Sequence, residues 1–70
     1  MEMQYKEVRD LVREEIIECA ERDLDFSETM FYITGFIRCL NKTGVITGWD
    51  FETYERLIKF KNTLIRMWFD

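Results

Sequence analysis

Residues 25–44, which read DFSETMFYITGFIRCLNKTG, decide the fold of this 70-residue chain. The segment opens with a capping-box pattern, in which Asp25 precedes Glu28 by three residues, and Ser27 is a second candidate N-cap. It closes at Gly44, a residue type that favours the left-handed conformation found after a helix. The residues between are apolar on nearly every side. The segment therefore predicts a helix over about residues 27–43 that is buried on most of its sides.

Two further helices flank this segment. Over about residues 4–23, apolar side chains recur at helical spacings of three and four; they are Tyr5, Val8, Val12, Ile16 and Cys19. Over about residues 49–69 a second apolar face is formed by Tyr54, Leu57, Ile58, Leu64, Ile65 and Trp68. Either the stretch beginning at Thr47 or Asp50 itself caps this last helix. The connections are short, and residues 45–47 are too few to build a sheet. We predict a single all-α domain over residues 1–70, a three-helix bundle, with an open arrangement completed by dimerisation as the alternative.

The residue types absent from the chain argue against an enzyme. Histidine, the most frequent general base and a common zinc ligand, does not occur. Ser27 is the one serine and is a candidate cap, and no phosphate-binding glycine motif is present. We therefore predict a non-enzymatic protein without a cofactor, a catalytic residue or a metal site.

The two cysteines and the hydropathy pattern bear on location. Cys19 and Cys39 have no CxxC spacing, which favours a reducing compartment. In an antiparallel hairpin they would be offset by ~12 Å, too far for a disulfide, and we expect both to be small buried hydrophobic residues. No secretory leader or membrane span is apparent. A cytoplasmic protein without membrane contact is expected.

Charge is divided unequally along the chain. The net charge is −4, with ten acids and four bases in residues 1–28, and four acids and six bases in residues 29–70. Six of the acids follow each other at helical steps of three or four, and we call them the acidic stripe: Glu7, Asp10, Glu14, Glu18, Glu21 and Asp25. Like charges at this spacing repel, so the stability of the helix alone does not explain them. The negative net charge disfavours direct binding to nucleic acid.

The acidic stripe has three interpretations. It is a solvated face, or it pairs within the bundle with Lys59, Lys61 and Arg66, or it binds a partner. For the third we hypothesise a small inhibitor whose carboxylates mimic nucleic-acid phosphates and occupy a basic surface of a nucleic-acid-handling protein. Phage and mobile-element inhibitors of host defence are proteins of this general type, an analogy that rests on size and charge. Leu11 and Ile17 flank the stripe as candidate apolar anchors.

An alternative function uses apolar side chains outside the core faces. Phe31, Gly35 and Cys39 form a second line on the middle helix, and Gly35 suggests a close approach between helices. Trp49, Phe60 and Met67 share a flank of the last helix, and aromatic and methionine residues are enriched in interfaces. These residues predict a homo-oligomeric assembly or regulatory module, unless they wrap the core of a tight monomer. Lys61, within the last apolar face, should snorkel or pair with an acid.

Residues 40–52 resemble a known helical hairpin. Leu40 is followed by Asn-Lys-Thr-Gly-Val-Ile-Thr and, two residues later, by Asp50-Phe51-Glu52. This pattern is similar to the short C-terminal hairpin of the SHOCT type. The sequence then departs from that pattern, because it lacks the small, lysine-rich tail. The resemblance implies a helix-turn-helix hairpin used in assembly and carries no functional residues.

Overall fold

The computed structural model describes residues 3–46 and 48–69, which form three helices and no strand. Helix α1 spans Tyr5–Glu21, α2 spans Phe26–Lys42 and α3 spans Phe51–Phe69. The predicted all-α three-helix bundle is confirmed, and it measures 33 × 19 × 17 Å. Thr47, where one of the two candidate caps of α3 begins, lies outside the described residues.

Side-chain caps fix where α2 and α3 begin. The Asp25 carboxylate accepts a hydrogen bond from the Glu28 amide at 2.7 Å, and the Glu28 carboxylate accepts one from the Asp25 amide at 3.0 Å. Asp25 rather than Ser27 is therefore the N-cap of α2. Asp50 accepts from the Thr53 amide at 2.7 Å, and this hydrogen bond lowers the pKa of the Asp50 carboxyl. Each cap satisfies an amide that the helix leaves unpaired.

Helices α1 and α2 end in the same turn, a Schellman motif. After α2, Gly44 has a φ of 86°, and the Val45 amide donates to the Leu40 carbonyl at 3.0 Å. After α1, the left-handed position is occupied by Asp23 with a φ of 62°, and the Leu24 amide bonds back to the Cys19 carbonyl at 3.1 Å. Both turns reverse the chain within a few residues.

Contacts between the helices define an up-down-up order. The Tyr32 hydroxyl donates to Glu15 at 3.0 Å, which joins the middles of α1 and α2. The Arg56 guanidinium lies 4.6 Å from the centre of the Tyr5 ring, and Arg9 lies 6.0 Å from the centre of the Phe60 ring. The earlier residue of α1 contacts the earlier residue of α3, and the later contacts the later. The two helices are therefore parallel, and α2 runs antiparallel to both.

The core lies on one face of each helix. Its most buried hydrophobic residues are Val8, Val12, Ile16, Cys19, Ile33, Ile37, Ile46, Leu57 and Ile65. Trp68, predicted on the core face of α3, is 49% exposed. This expectation was wrong because Trp68 lies in the last turn of α3, level with the start of α2, where the bundle ends and too little chain remains to cover an indole.

The first described residues close the other end of the bundle. The Met3 amide donates to the Val45 carbonyl at 3.0 Å, and the Trp49 indole N–H lies 3.4 Å from the Met3 carbonyl. The Trp49 and Tyr5 rings pack with their centres 5.7 Å apart. The beginning of the chain is thereby tied to the connection between α2 and α3.

Candidate protein-binding surfaces

The acidic stripe lies on the surface, but two of its members serve as helix caps. Glu7 accepts a hydrogen bond from the Gln4 amide at 2.9 Å and completes the capping box of α1. Asp25 caps α2 and lies beyond the end of α1. These two carboxylates have structural roles that account for their presence.

Two more members of the acidic stripe pair with bases on the same helix or in its final turn. Asp10 lies 3.5 Å from the Lys6 ammonium and 3.8 Å from the Arg9 guanidinium, and Glu18 lies 2.9 Å from the Arg22 guanidinium. These pairs are solvent-exposed, and exposed pairs contribute at most about 1 kcal/mol. They nevertheless place positive charge within the row of carboxylates.

Glu14 and Glu21 are the members of the acidic stripe that have no partner among the residues the structure describes. Both are exposed. Beside Glu14 the surface forms a shallow hollow whose lining combines both signs of charge with one apolar side chain; it comprises Lys6, Arg9, Asp10, Arg13, Glu14 and Ile17. The stripe is thus an acidic surface interrupted by bases, not an unbroken row of negative charge.

Pairing of the acidic stripe with the bases of α3 is absent from residues 3–46 and 48–69. The ion pairs described there all lie within α1 or between α1 and Arg22. Lys61 is 5% exposed, and its ammonium donates to the Thr34 hydroxyl at 3.2 Å. Of the three interpretations of the stripe, internal pairing is therefore not found among these residues. The expectation for Lys61 was wrong, because this residue is buried and faces Thr34 of α2 rather than an acid of α1.

The candidate apolar residues of α1, α3 and the connection before α3 differ in their exposure. Trp49 was predicted on a flank of the last helix, and this was wrong because α3 begins at Phe51, after the Asp50 cap. Leu11, Ile17, Trp49 and Phe60 are half-buried, the last two in the ring contacts described above. Met67 is 73% exposed in the last turn of α3. Four of these five residues are therefore at least partly covered by the chain itself.

Phe31 is the most exposed large hydrophobic residue described, with 84% of its surface open to solvent. It precedes the buried Ile33 by two residues, so it lies roughly 160° around the helix from the core. Gly35 follows Ile33 by two residues and shares this outer face. The prediction that α2 is buried on most sides was wrong, because only α1 and α3 pack against it.

We call Ser27, Phe31, Gly35 and Cys39 the outer line of α2. Cys39 is exposed, so its predicted burial was wrong, whereas the predicted burial of Cys19 is confirmed. Burial raises the pKa of the Cys19 thiol. A β-carbon added at Gly35 would meet nothing within 4 Å, so Gly35 does not permit a close approach between helices of this chain.

Phe31 stands between two shallow hollows along α2. The hollow toward the end of the helix is lined by Met30, Phe31, Thr34, Gly35 and Arg38. The hollow toward its start is lined by Ser27, Glu28, Phe31 and Tyr32. Sequence reasoning identified Phe31 and Gly35 but missed Thr34 and Arg38. Their spacing of three and seven residues from Phe31 is the signal that places them on the same side of the helix.

None of the three helices, as far as they are described, has the length and apolar character needed to cross a membrane. The described part of the chain contains no group of three or more potential metal-binding side chains. Comparison with protein-family models, curated proteins and solved structures finds no significant match to this chain. The likeness of residues 40–52 to the SHOCT hairpin stays a prediction.

Proposed function

We propose that this chain is a non-enzymatic protein-binding module whose binding surface is the outer line of α2. The observation that carries the proposal is the 84% exposure of Phe31 at the middle of a helix, directed away from the core. Burial of a phenylalanine side chain contributes about 1.5–3 kcal/mol of favourable free energy. The single chain does not bury Phe31. A partner that covers Phe31 would obtain it.

The surroundings of Phe31 support the same proposal. Binding energy in protein interfaces concentrates in a few large side chains ringed by polar groups. Phe31 protrudes between Glu28, Thr34 and Arg38, and the partly exposed Tyr32 lies beside it. The hollows on both sides of its ring offer space for side chains of a partner.

The test is capture of proteins from the native host with the wild-type chain and with Phe31→Asp. Phe31 is almost wholly exposed, so the variant should fold normally by circular dichroism and lose the captured proteins. Phe51→Ser is the matched control, because Phe51 is 77% exposed on α3 and lies outside the proposed surface. Capture that survives Phe31→Asp, or is lost equally with Phe51→Ser, refutes the proposal.

The second candidate function is the inhibitor hypothesis, in which the acidic stripe occupies the basic surface of a nucleic-acid-handling protein. Glu14 and Glu21 favour it, because neither carboxylate has a partner within residues 3–46 and 48–69 and both are exposed to another molecule. The bases that interrupt the stripe weaken its likeness to a phosphate backbone. We rank this function below binding through α2.

We place the action of the chain in the cytoplasm. Cys19 and Cys39 are both free thiols, one buried and one exposed. An exposed free thiol such as that of Cys39 persists in a reducing compartment.

A further inference from the structure

We propose that the partner of the outer line of α2 is a second copy of the chain, bound so that the two α2 helices pack antiparallel about a twofold axis. This inference rests on the proposed function, which makes the outer line a protein-binding surface. It adds the identity of the partner and the geometry of its docking. Three features of α2 carry it: a knob and a matching hole, an unexplained glycine, and a division of charge along the helix.

The knob is Phe31, and the hole is the hollow beside it. In paired helices a protruding side chain inserts between four residues of the facing helix, at positions i, i+3, i+4 and i+7. Phe31, Thr34, Gly35 and Arg38 have this spacing and line one hollow on α2. Gly35 contributes no side chain to this hollow, so a side chain of a facing helix can enter between the other three residues. Each copy thus carries both the aromatic knob and a hole of the kind that receives one.

The positions of the knob and the hole satisfy twofold symmetry. The centre of the hole lies about 3.5 residues, or roughly 5 Å, beyond Phe31 along α2 and on the same flank of the helix. If two α2 helices run antiparallel about an axis near the level of Ile33, each Phe31 enters the hole of the other copy. A twofold interface requires such self-complementarity. The two Phe31 rings then meet at the edge of both holes, at a separation suited to aromatic packing.

No contact among the described residues explains the glycine at position 35. It lies inside α2 with ordinary helical geometry, so no left-handed backbone requires glycine. A β-carbon there would meet nothing within 4 Å, so no neighbouring element requires it either. Glycine weakens a helix relative to alanine. An approach from outside the chain, such as the ring of Phe31 from another copy, does require a position without a side chain.

The charges on α2 favour an antiparallel pair over a parallel one. The acids Asp25 and Glu28 are at its start, and the bases Arg38 and Lys42 are toward its end. Arg38 and Lys42 have no acidic partner among the described residues. In the antiparallel pair Arg38 of each copy lies level with Glu28 of the other, whereas a parallel pair would align like charges. The opposed helix dipoles add to this preference.

The first experiment measures the mass of the purified protein by sedimentation across a concentration series. We expect a concentration-dependent dimer of twice 8.6 kDa. Phe31→Asp removes the knob and Gly35→Leu fills the hole, and each should weaken dimerisation about tenfold or more. Phe51→Ser should leave the dimer unchanged.

Gly35→Leu provides an internal check against misfolding. Leucine is a better helix former than glycine, and the space at position 35 is open in the single chain. At concentrations where the protein is monomeric, this variant should therefore unfold at a higher temperature than the wild type while dimerising less. Loss of the dimer together with a raised unfolding temperature cannot come from a damaged fold.

The second experiment measures the orientation. Mild oxidation of the wild-type chain tests the orientation without adding a group to the interface. A disulfide between the exposed Cys39 thiols of the two copies requires α-carbons within about 7 Å, and Cys19 is buried. The antiparallel pair places the two Cys39 α-carbons about 20 Å apart, whereas a parallel pair places them within about 10 Å. A dimer that forms no disulfide through Cys39 supports the proposal, and a dimer linked through Cys39 refutes it.

A protein that stays monomeric at about 0.5 mM, where even weak specific pairs form, overturns the inference. A dimer that survives both Phe31→Asp and Gly35→Leu overturns it as well. The proposed function is tested separately. If the purified chain is monomeric but still captures a host protein through Phe31, the result supports binding through α2 and refutes self-association.

Discussion

The Lys61 ammonium donates a hydrogen bond of 3.2 Å to the Thr34 hydroxyl and joins α3 to α2. The Thr34 hydroxyl in turn donates to the Met30 carbonyl at 2.8 Å. Lys61 is thus a buried cation held by a neutral side chain, without an acid among its described partners. Burial lowers the pKa of Lys61. A buried charge without a counter-charge opposes folding.

Lys61→Met should therefore raise the free energy of unfolding at pH 7 by about 1 kcal/mol. Methionine matches the length of lysine, and the Thr34 hydroxyl keeps its bond to Met30. The gain should shrink as the pH rises toward 10.5, the ordinary lysine value. Because the pKa is lower in the folded chain, the unfolded chain binds more protons between the two values, and the stability of the wild type rises with pH there.

Urea titrations of both proteins at pH 7 and pH 10 measure this difference. Lys59→Met is the control, since Lys59 is exposed on the same helix and its replacement should change the stability little at either pH. A stability difference between wild type and Lys61→Met that is the same at both pH values would contradict the assignment of a lowered pKa.

Thr29→Val should stabilise the fold by about 1 kcal/mol. Thr29 is fully buried. Its hydroxyl makes no hydrogen bond of ordinary geometry to another described residue. The hydroxyl lies close to the Cys19 thiol and lowers the pKa of that thiol, although burial raises this pKa by more. Valine has the same shape without the polar atom. Thermal unfolding tests this, with Thr34→Val as the opposing variant, which should destabilise the fold because Lys61 loses its described hydrogen-bond partner.

Asp23→Gly should stabilise the turn between α1 and α2 by about 0.5 kcal/mol, because Asp23 adopts a left-handed conformation that glycine accepts without strain. The equivalent position after α2 is already glycine. Gly44→Ala should accordingly destabilise the fold by about 1 kcal/mol. Chemical denaturation of the two variants should thus give shifts of opposite sign, and shifts of the same sign would show that the two turns are not equivalent.

Replacing Glu14 and Glu21 together by lysine tests the inhibitor hypothesis. Both side chains are exposed and make no ion pair with another described residue, so the fold should persist. A partner held by the acidic stripe should be lost in a pull-down with the variant, and should dissociate from the wild type as salt is added. The double variant Glu52→Lys, Glu55→Lys makes the same change in net charge on α3. If the α1 double variant still binds the partner, or if the α3 double variant loses binding equally, the acidic stripe has no specific role.

Local signals in the sequence predicted where the helices begin and end. The end signals are Asp25, Gly44 and Asp50. They act through hydrogen bonds or dihedral angles within a few residues, so their roles can be predicted from the neighbouring residues in the sequence. The core face of α1 could also be predicted, because its apolar and charged residues lie on different sides of the helix.

The side of α2 that stays uncovered could not be predicted in the same way. Its apolar residues surround the helix, and the rotation of α2 against its two neighbours decides which of them are buried. That rotation places Ile33 inside and leaves Phe31, Gly35 and Cys39 outside. It also turns Lys61 toward Thr34 rather than toward the acids of α1. These outcomes depend on contacts between helices, which a pattern within one helix does not encode.

The hydrogen bonds of Met3 reach a part of the chain that is distant in sequence, because its carbonyl accepts from Trp49, 46 residues away. Amide protons outside helices ordinarily exchange quickly with solvent, and Met3 lies before α1. The Met3 amide instead is bonded to Val45, and this bond exists only when the connection between α2 and α3 is in place. Hydrogen exchange at this one amide therefore reports the docking of the α2–α3 hairpin onto α1, and an amide outside the helices measures whether the bundle is closed.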